Sequence, residues 1–146
     1  MHLGLRDLAR ATQADGSSSP LAPRDAALLA WLALEGPTPR ARLAELLWPE
    51  SEPEARRNTL RQRLFHLRKA CGELVTGGSA LRLADGVQHD LVDSESVLGD
   101  LRFPDAPALD GWLRAQRGRR MGNSREIALQ FASNKSKLVS PLLITT

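Results

Sequence analysis

A glycine–proline break between two apolar segments is the feature that most constrains how this chain can fold. In APRDAALLAWLALEG the apolar residues recur at helical spacing, and Pro23 suits the first turn of a helix. Gly36 is expected to end this helix, and Pro37 prevents it from continuing. A second short helix is predicted to start at once in TPRARLAELLWP, with Thr38 as its N-cap and Pro39 at its first position. The two helices therefore form a tight corner of the helix-turn-helix kind.

A third helix is predicted directly after this corner. Ser51 and Glu54 have the spacing of a capping box, which predicts a helix start near Glu52–Pro53. Gly72 is expected to end the helix after Cys71. At about 100° per residue, the apolar side chains fall within one narrow arc. They are Leu60, Leu64, Leu67 and Cys71. One side of this helix is therefore expected to pack on the body of the protein.

The rest of this third helix is strongly basic. Residues 55–71 hold five arginines, one lysine and no acid, a local charge of +6, whereas residues 72–110 hold eight acids and two arginines, a net charge of −6. Like charges on one helix repel each other, and a polyanion such as DNA relieves that repulsion. Arginine, asparagine and glutamine are also the side chains that bind base edges in the major groove. The alternative is a surface helix that is rich in arginine only because the whole chain prefers arginine to lysine.

These patterns predict which residues contact duplex DNA. The residues expected to face the groove are Asn58, Thr59, Gln62, Arg63 and His66. Those expected to reach phosphates are Arg56, Arg57 and Lys69 of the third helix, Arg40 and Arg42 at the start of the second helix, and Arg82 beside a predicted hairpin. Arg61 and Arg68 lie beside the apolar arc, so they are expected to pair with acids of the protein or to cover its core.

Two regions of the chain predict β-structure. Leu3 and Leu5 alternate at the amino end, and Asp15-Gly16 is a turn signal before a second short strand near Ser19–Ala22, although this polar stretch could equally end a disordered arm. After the basic helix, Asp85-Gly86 separates ALRLA from VQHDLV and predicts a β-hairpin. The predicted fold is α+β, mainly α. It is a winged helix-turn-helix, with a three-helix core, a small amino-terminal sheet and a carboxy-terminal hairpin wing.

The segment LAPRDAALLAWLALEGPTPRARLAELLWPESEPEARRNTLRQRLFHLRKACG resembles the amino-terminal DNA-binding domain of SARP-type bacterial transcriptional activators. The most specific part is AELLWP, then an acidic-polar loop, then ARRNTLRQRLFHLRKA. The resemblance implies an OmpR-type winged helix, and it implies that the loop with Trp48, Glu50 and Ser51 faces RNA polymerase. LRFPDAPALDGWLRAQRGRR looks like the opening of the bacterial transcriptional activation domain that follows in that family, and the likeness stops near Arg120.

The composition of the chain changes at the same point. Residues 1–120 contain no isoleucine, one asparagine and one lysine, whereas residues 121–146 contain two of each. We therefore predict a DNA-binding domain over residues 1–93, a linker with the start of a truncated activation domain over residues 94–120, and an unstructured tail of different origin over residues 121–146. The alternative for the tail is an ordinary carboxy-terminal helix in SREIALQFA.

Other classes of function have little support. No phosphate-binding glycine loop or nucleophile–base spacing is present, so neither an enzyme nor a cofactor nor a small-molecule substrate is expected. The histidines lack metal-ligand spacing and Cys71 is the single cysteine, so neither a metal site nor an internal disulfide is expected. No apolar run approaches about 20 residues, and no secretory signal opens the sequence. These features predict a cytoplasmic protein without a membrane partner.

The predicted function is sequence-specific binding of double-stranded DNA by a bacterial transcription regulator. RNA polymerase, and a second copy of the chain on the same DNA, are further candidate partners. The competing hypothesis is a winged-helix module that binds RNA polymerase or another protein through its arginines and has no specific DNA binding of its own.

Overall fold

A computed structural model describes residues 1–6, 9–91 and 97–118 of the chain. Within these residues the fold is α+β and mainly helical, with four helices and two small sheets. The helices are α1 (Pro23–Glu35), α2 (Arg40–Leu47), α3 (Pro53–Cys71) and α4 (residues 107–118). The strands are β1 (His2–Gly4), β2 (Arg10–Thr12), β3 (Ser18–Pro20), β4 (Thr38–Pro39), β5 (Val75–Thr76), β6 (Ala80–Leu83) and β7 (Gln88–His89). None of these helices has the length and apolar character needed to cross a bilayer in the part of the chain described.

The ends of α1 and α3 confirm the sequence-based boundaries. Gly36 follows α1 with φ +80°, and its N–H donates to the carbonyl oxygen of Leu32 at 3.0 Å. Gly72 follows α3 with φ +84°, and its N–H donates to the carbonyl oxygen of Arg68 at 3.0 Å. Side-chain-bearing residues rarely adopt this left-handed conformation, so a glycine fixes the length of each helix.

The predicted N-cap of α2 is wrong, because Thr38 lies in β4 and not at the helix start. Its hydroxyl donates to the carbonyl oxygen of Gly36 at 2.9 Å and accepts from Nε1 of Trp31 at 3.0 Å. The N–H of Arg40, which has no partner inside α2, donates to the carbonyl oxygen of Ser79 at 2.8 Å. The start of α2 is therefore fixed by β-pairing to a later part of the chain, which no local pattern reveals.

The predicted capping box of α3 is also wrong. Glu52 occupies the N-cap position, and no side chain makes a capping hydrogen bond to the helix. Pro53 opens α3, where its missing N–H costs no hydrogen bond, and Glu54 places a negative charge in the first turn. The helix therefore begins where the sequence predicts but for a different reason.

The predicted hairpin around Asp85-Gly86 has the wrong strand pairing. β6 pairs antiparallel with β5, so the hairpin turns at Gly77-Gly78, and β6 also pairs with β4 to give the sheet order β4–β6–β5. β7 runs parallel to β1 in a second sheet of order β3–β2–β1–β7. The Asp85-Gly86 turn therefore connects the two sheets, because the strand after it finds its partner at the amino end of the chain.

The amino-terminal sheet has two strands more than predicted, namely β2 and β7. The Asp15-Gly16 turn forms between β2 and β3, with the N–H of Gln13 donating to the carbonyl oxygen of Ser17 at 2.8 Å. β2 pairs antiparallel with β1 on one side and with β3 on the other. This stretch is therefore a hairpin and not a disordered arm. β2 has only three residues, which is too short for alternation to show.

One hydrophobic core, built mainly from leucine and alanine, joins the helices and both sheets. From α3 it takes Leu60, Leu67 and Cys71, with Leu64 half-buried against it, as the apolar arc predicts. Burying a leucine side chain contributes about 1.5–3 kcal/mol, so this face of α3 is firmly held. The later part of the chain enters the same core through Val97, Leu98, Phe103, Ala106, Leu109 and Leu113.

The helix predicted from Ala108 to about Arg119 is observed as α4 over residues 107–118, and it packs on α1. The ring of Trp112 lies 4.7 Å from that of Trp31 between centroids, and its Nε1 donates to Glu35 at 2.9 Å. The division of the chain into domains stays a prediction. Residues 121–146, with both hypotheses for them, lie outside the described residues.

Candidate nucleic-acid interface

One face of α3 points away from the core, and we call it the outer face. It consists of Asn58, Gln62, Phe65, His66 and Lys69, all of them exposed. At about 100° per residue these positions lie opposite the buried leucines. The structure therefore brings together four of the residues predicted to contact DNA, namely Asn58, Gln62, His66 and Lys69.

Phe65 belongs to this face although the sequence analysis did not single it out. Its side chain is 60% exposed, and it is the one large hydrophobic residue exposed within the described part of the chain. The centroid of its ring lies 5.8 Å from that of His66 and 5.6 Å from Nζ of Lys69. The available signal was angular, because Phe65 lies about 140° from Leu60 around the helix and so falls outside the apolar arc.

Three exposed arginines, Arg57, Arg61 and Arg68, follow one flank of α3 and form what we call the arginine row. Arg61 and Arg68 also line a groove of about 280 Å³ between α3 and the β5–β6 hairpin. Contrary to the expected pairing, neither of these two has an acidic partner among the described residues. Their guanidinium groups are therefore free to bind an anion.

Arg40 closes the other side of this groove. Its Nε donates to the carbonyl oxygen of Gly78 at 2.5 Å, so the side chain ties the start of α2 to the turn of the hairpin. Arg40 lines the same groove as Arg61 and Arg68. Arg40 therefore lies at the hairpin turn and at the groove.

Arg63, in contrast, is engaged inside the protein. Its Nε donates to Oδ1 of Asp25 at 3.0 Å, and its Nη2 contacts Oδ2 of the same carboxylate. The side chain of Asp25 is only 5% exposed, and its hydrogen bond raises the pKa of Arg63. Leaving that buried carboxylate unpaired would be costly. The predicted groove-facing position of Arg63 is therefore wrong, because its guanidinium is directed towards Asp25 of α1.

Arg56 also makes its contacts within the protein, and its side chain is 18% exposed. Nη1 donates to the carbonyl oxygen of Ser51 at 3.3 Å, and Nη2 lies 3.7 Å from Oε2 of Glu45. These contacts hold the loop between α2 and α3 against α2. Arg56 is therefore a poor candidate for a phosphate contact, contrary to the prediction.

Thr59 and Arg42 are less available than predicted. Thr59 is half-buried, and its hydroxyl donates to the carbonyl oxygen of Ala55 in its own helix at 2.9 Å. The guanidinium of Arg42 lies 6.0 Å from the ring of Trp31 and 3.7 Å from Glu45. Both side chains therefore already have contacts within the protein.

The guanidinium of Arg82, the cation predicted for the hairpin wing, is directed towards the carboxy-terminal end of β6. Its Nη1 donates to Oδ1 of Asp85 at 3.0 Å and to the carbonyl oxygen of Leu83 at 3.3 Å. The turn itself is at Gly77-Gly78, at the opposite end of β6. Arg40 is consequently the cation nearest to the turn.

The loop predicted to face RNA polymerase is compact. The N–H of Ser51 donates to the carbonyl oxygen of half-buried Trp48 at 3.2 Å. Glu50 and Ser51 are exposed, and Glu52 and Glu54 lie beside Arg57 at the start of α3. The acids make this end of α3 less positive, so the positive charge of the surface is concentrated on its carboxy-terminal half.

Five cations of this region have no acidic partner within the residues described: Arg40, Arg57, Arg61, Arg68 and Lys69. Arg57, Arg61 and Arg68 lie along one flank of the outer face, Lys69 lies within it, and Arg40 lies at the hairpin groove. One acid, Glu73, also lines that groove. The arrangement places a row of cations beside a strip of hydrogen-bonding side chains.

The described residues offer little for other chemistry. No group of three His, Cys, Asp or Glu side chains is placed there to hold a metal ion. Cys71 is buried, and its desolvation, followed by the nearby charge of Asp25, raises the pKa of its thiol. A raised pKa leaves less of the nucleophilic thiolate at neutral pH.

Comparison with known proteins gives no significant match: no family model fits the chain, and neither a curated protein nor a solved structure is similar to it. The resemblance to SARP-type activators therefore depends on the residues quoted above. The candidate interface consists of α3, Arg40 and the β5–β6 hairpin.

Proposed function

We propose that this chain binds double-stranded DNA sequence-specifically as a transcription regulator, with α3 in the major groove. The observation that carries the proposal is the division of α3 into a buried apolar side and an exposed side of cations and amides. The major groove is about 12 Å wide and admits a helix. Asn58 and Gln62 are suited to pair with adenine, while the arginine row and Lys69 are suited to phosphates.

The order of the elements supports a winged helix-turn-helix. α2 and α3 form the helix pair, and the β5–β6 hairpin follows α3 and pairs with β4 directly before α2. A hairpin in this position would contact the DNA backbone next to the groove. Arg40, bound to the carbonyl oxygen of Gly78, is the cation we assign to that contact.

The loop between α2 and α3 supports a second contact, with RNA polymerase. Glu50 and Ser51 are exposed there. Arg56 holds the loop in place by donating a hydrogen bond to the carbonyl oxygen of Ser51. Negative charge in this loop disfavours DNA and suits a basic protein surface. The contact is tested by comparing polymerase recruitment by the wild type and by Glu50→Ala on a bound DNA site.

Selection of bound sequences from random duplexes tests the proposal. A specific DNA-binding protein should enrich one motif and bind it at least about 10³-fold more tightly than random duplex at the same salt. If two copies bind together, the enriched half-sites should lie about 10–10.5 base pairs apart or at a multiple of that spacing. Gln62→Ala should reduce binding to the selected motif more than binding to random duplex.

A protein-interaction module remains the second candidate, and exposed Phe65 is the observation that favours it, since aromatic residues are frequent anchors in protein interfaces. This candidate predicts that no motif is enriched. It also predicts that Gln62→Ala changes binding to specific and random DNA by the same factor. Either result would reject the DNA-reading role of the outer face.

A further inference from the structure

The proposed DNA binding assigns no role to the exposed aromatic ring in the outer face. Phe65 is 60% exposed, and its neighbours on the helix surface are polar or charged. We propose that Phe65 recognises the 5-methyl group of a thymine, so that the DNA site contains a thymine opposite the middle of α3. This inference rests on the proposed function, because it requires α3 to enter the major groove.

Phe65 lies at the edge of the outer face next to the arginine row, and it also lines the groove between α3 and the hairpin. Residues three and four apart are neighbours on a helix, so Gln62 and Arg61 precede Phe65 by one turn and Lys69 follows it by one turn. Asn58 lies a further turn back on the same face. A base pair near the ring would therefore also be within reach of an amide and a cation.

The ring is also positioned by its neighbours. Nζ of Lys69 lies 5.6 Å from the ring centroid, and the ring of His66 meets it edge-on at 5.8 Å with an interplanar angle of 73°. These contacts restrict the ring without covering it. A flat apolar surface is thus held outward among side chains that hydrogen-bond.

The chemistry of the major groove selects one ligand for such a surface. Donors and acceptors of guanine, cytosine and adenine line the groove, and the 5-methyl group of thymine is its apolar feature. A phenyl ring placed against a donor or acceptor would strip it of water without replacing the hydrogen bond. Contact with a methyl group removes apolar surface from water on both sides and has no such cost.

Replacing thymine by uracil tests this directly, because uracil lacks only the methyl group and keeps every hydrogen-bonding atom. Each thymine of a duplex carrying the selected motif is replaced in turn by deoxyuridine, and the dissociation constant is measured at fixed salt. For the wild type, one replacement should weaken binding by about fourfold, the effect of removing one buried methyl group. For Phe65→Ala, that same replacement should have no effect.

Two matched variants make the result interpretable. Gln62→Ala changes a neighbouring residue of the outer face, and its DNA binding should still weaken when the thymine is replaced by uracil. Phe65→Leu keeps an apolar side chain at this position, so its DNA binding should weaken by a smaller factor on the same replacement. Phe65 is exposed, so Phe65→Ala should unfold at the same temperature as the wild type.

Failure of the inference and failure of the proposed function give different results. If the chain binds no duplex, both are overturned. If it binds a selected motif but no uracil replacement weakens binding, if Phe65→Ala remains as sensitive as the wild type, or if the motif contains no thymine, only the role of Phe65 is overturned. An unchanged DNA affinity of Phe65→Ala together with lost binding to a protein partner would assign the ring to a protein interface.

Discussion

Arg63 on α3 and Asp25 on α1 are joined by a two-point ion pair, with Nε of Arg63 3.0 Å from Oδ1 of the nearly buried carboxylate. This contact helps to set the rotation of α3 about its own axis. The arginine row lies on the other flank of the helix, on the far side of the buried leucines. Pairing Arg63 with the body of the protein therefore leaves Arg57, Arg61 and Arg68 directed outward.

The first prediction is that Arg63→Ala destabilises the protein, because it leaves the carboxylate of Asp25 buried and unpaired. The loss in the free energy of unfolding should be about 2 kcal/mol, less than for a fully buried pair because the side chain of Arg63 is 37% exposed. Chemical denaturation measures it, with Gln62→Ala as the control that should unfold like the wild type. A variant of Arg63 as stable as the wild type but unable to discriminate DNA sequences would restore the base-reading role.

The second prediction concerns the arginine row. Arg61→Ala and Arg68→Ala should each weaken DNA binding, since each removes one phosphate contact. Each should also make the slope of log affinity against log salt less negative by about 0.9. Their unfolding should be unchanged, because both side chains are exposed. Arg10→Ala changes the charge equally on β2, where Arg10 binds Ser18, and should leave the slope as it is. Equal slopes for all three variants would remove the row from the interface.

The third prediction compares two adjacent glycines of the hairpin turn. Gly77 has φ +122°, and a Cβ there would lie 2.1 Å from the carbonyl oxygen of Ala80, whereas a Cβ on Gly78 would meet nothing within 4 Å. Gly77→Ala should therefore cost about 2–3 kcal/mol of stability and weaken DNA binding by displacing the hairpin. Gly78→Ala should behave like the wild type in thermal unfolding and in DNA binding. Similar behaviour of the two variants would mean that the hairpin is not fixed as described.

The fourth prediction is a pH dependence that arises in α4. The N–H of Phe103 and the guanidinium of Arg114 lower the pKa of Asp110 from its usual 3.8 to about 2. Because the folded-state pKa lies below the unfolded one, this stabilisation is present above about pH 4 and is lost as the pH falls through about 2. Asp110→Asn should therefore be less stable than the wild type at pH 7, with the difference shrinking towards pH 2.

Thermal unfolding between pH 2 and pH 7 measures that difference. Asp85→Asn is the control, since the carboxylate of Asp85 is 94% exposed in its pair with Arg82 and should contribute little at any pH. A constant difference between Asp110→Asn and the wild type across this range would contradict the assignment of the low pKa to Asp110.

Helices with strong local signals could be predicted from the sequence, and strand pairing could not. Pro23, Gly36 and Gly72 act on the backbone within one turn, so the ends of α1 and α3 follow from them. β7 pairs with β1, which is more than eighty residues away in the sequence, although a turn signal favoured its neighbour β6. Two-residue strands carry no periodicity with which to choose between such partners.

The candidate site was also predicted only in part, because local patterns show the faces of a helix but not its contacts with other elements. The angular position around α3 identified Asn58, Gln62 and Lys69 as outward-facing, since it depends only on helical geometry. It could not identify which arginine has an acid nearby, because Asp25 lies on another helix. The ion pair expected of Arg61 is therefore made by Arg63, and Arg61 has no acidic partner among the described residues.

The dependence of DNA binding on salt is the most direct test of the central claim that the cationic surface around α3 binds duplex DNA. Five unpaired cations predict that log affinity falls with log salt with a slope of roughly −4.5. Fluorescence anisotropy with a labelled random duplex, over about 50 to 300 mM salt, measures this slope. The proposal predicts binding at the lowest salt and that steep decline. Absence of binding at about 50 mM, or an affinity that does not change with salt, would contradict it.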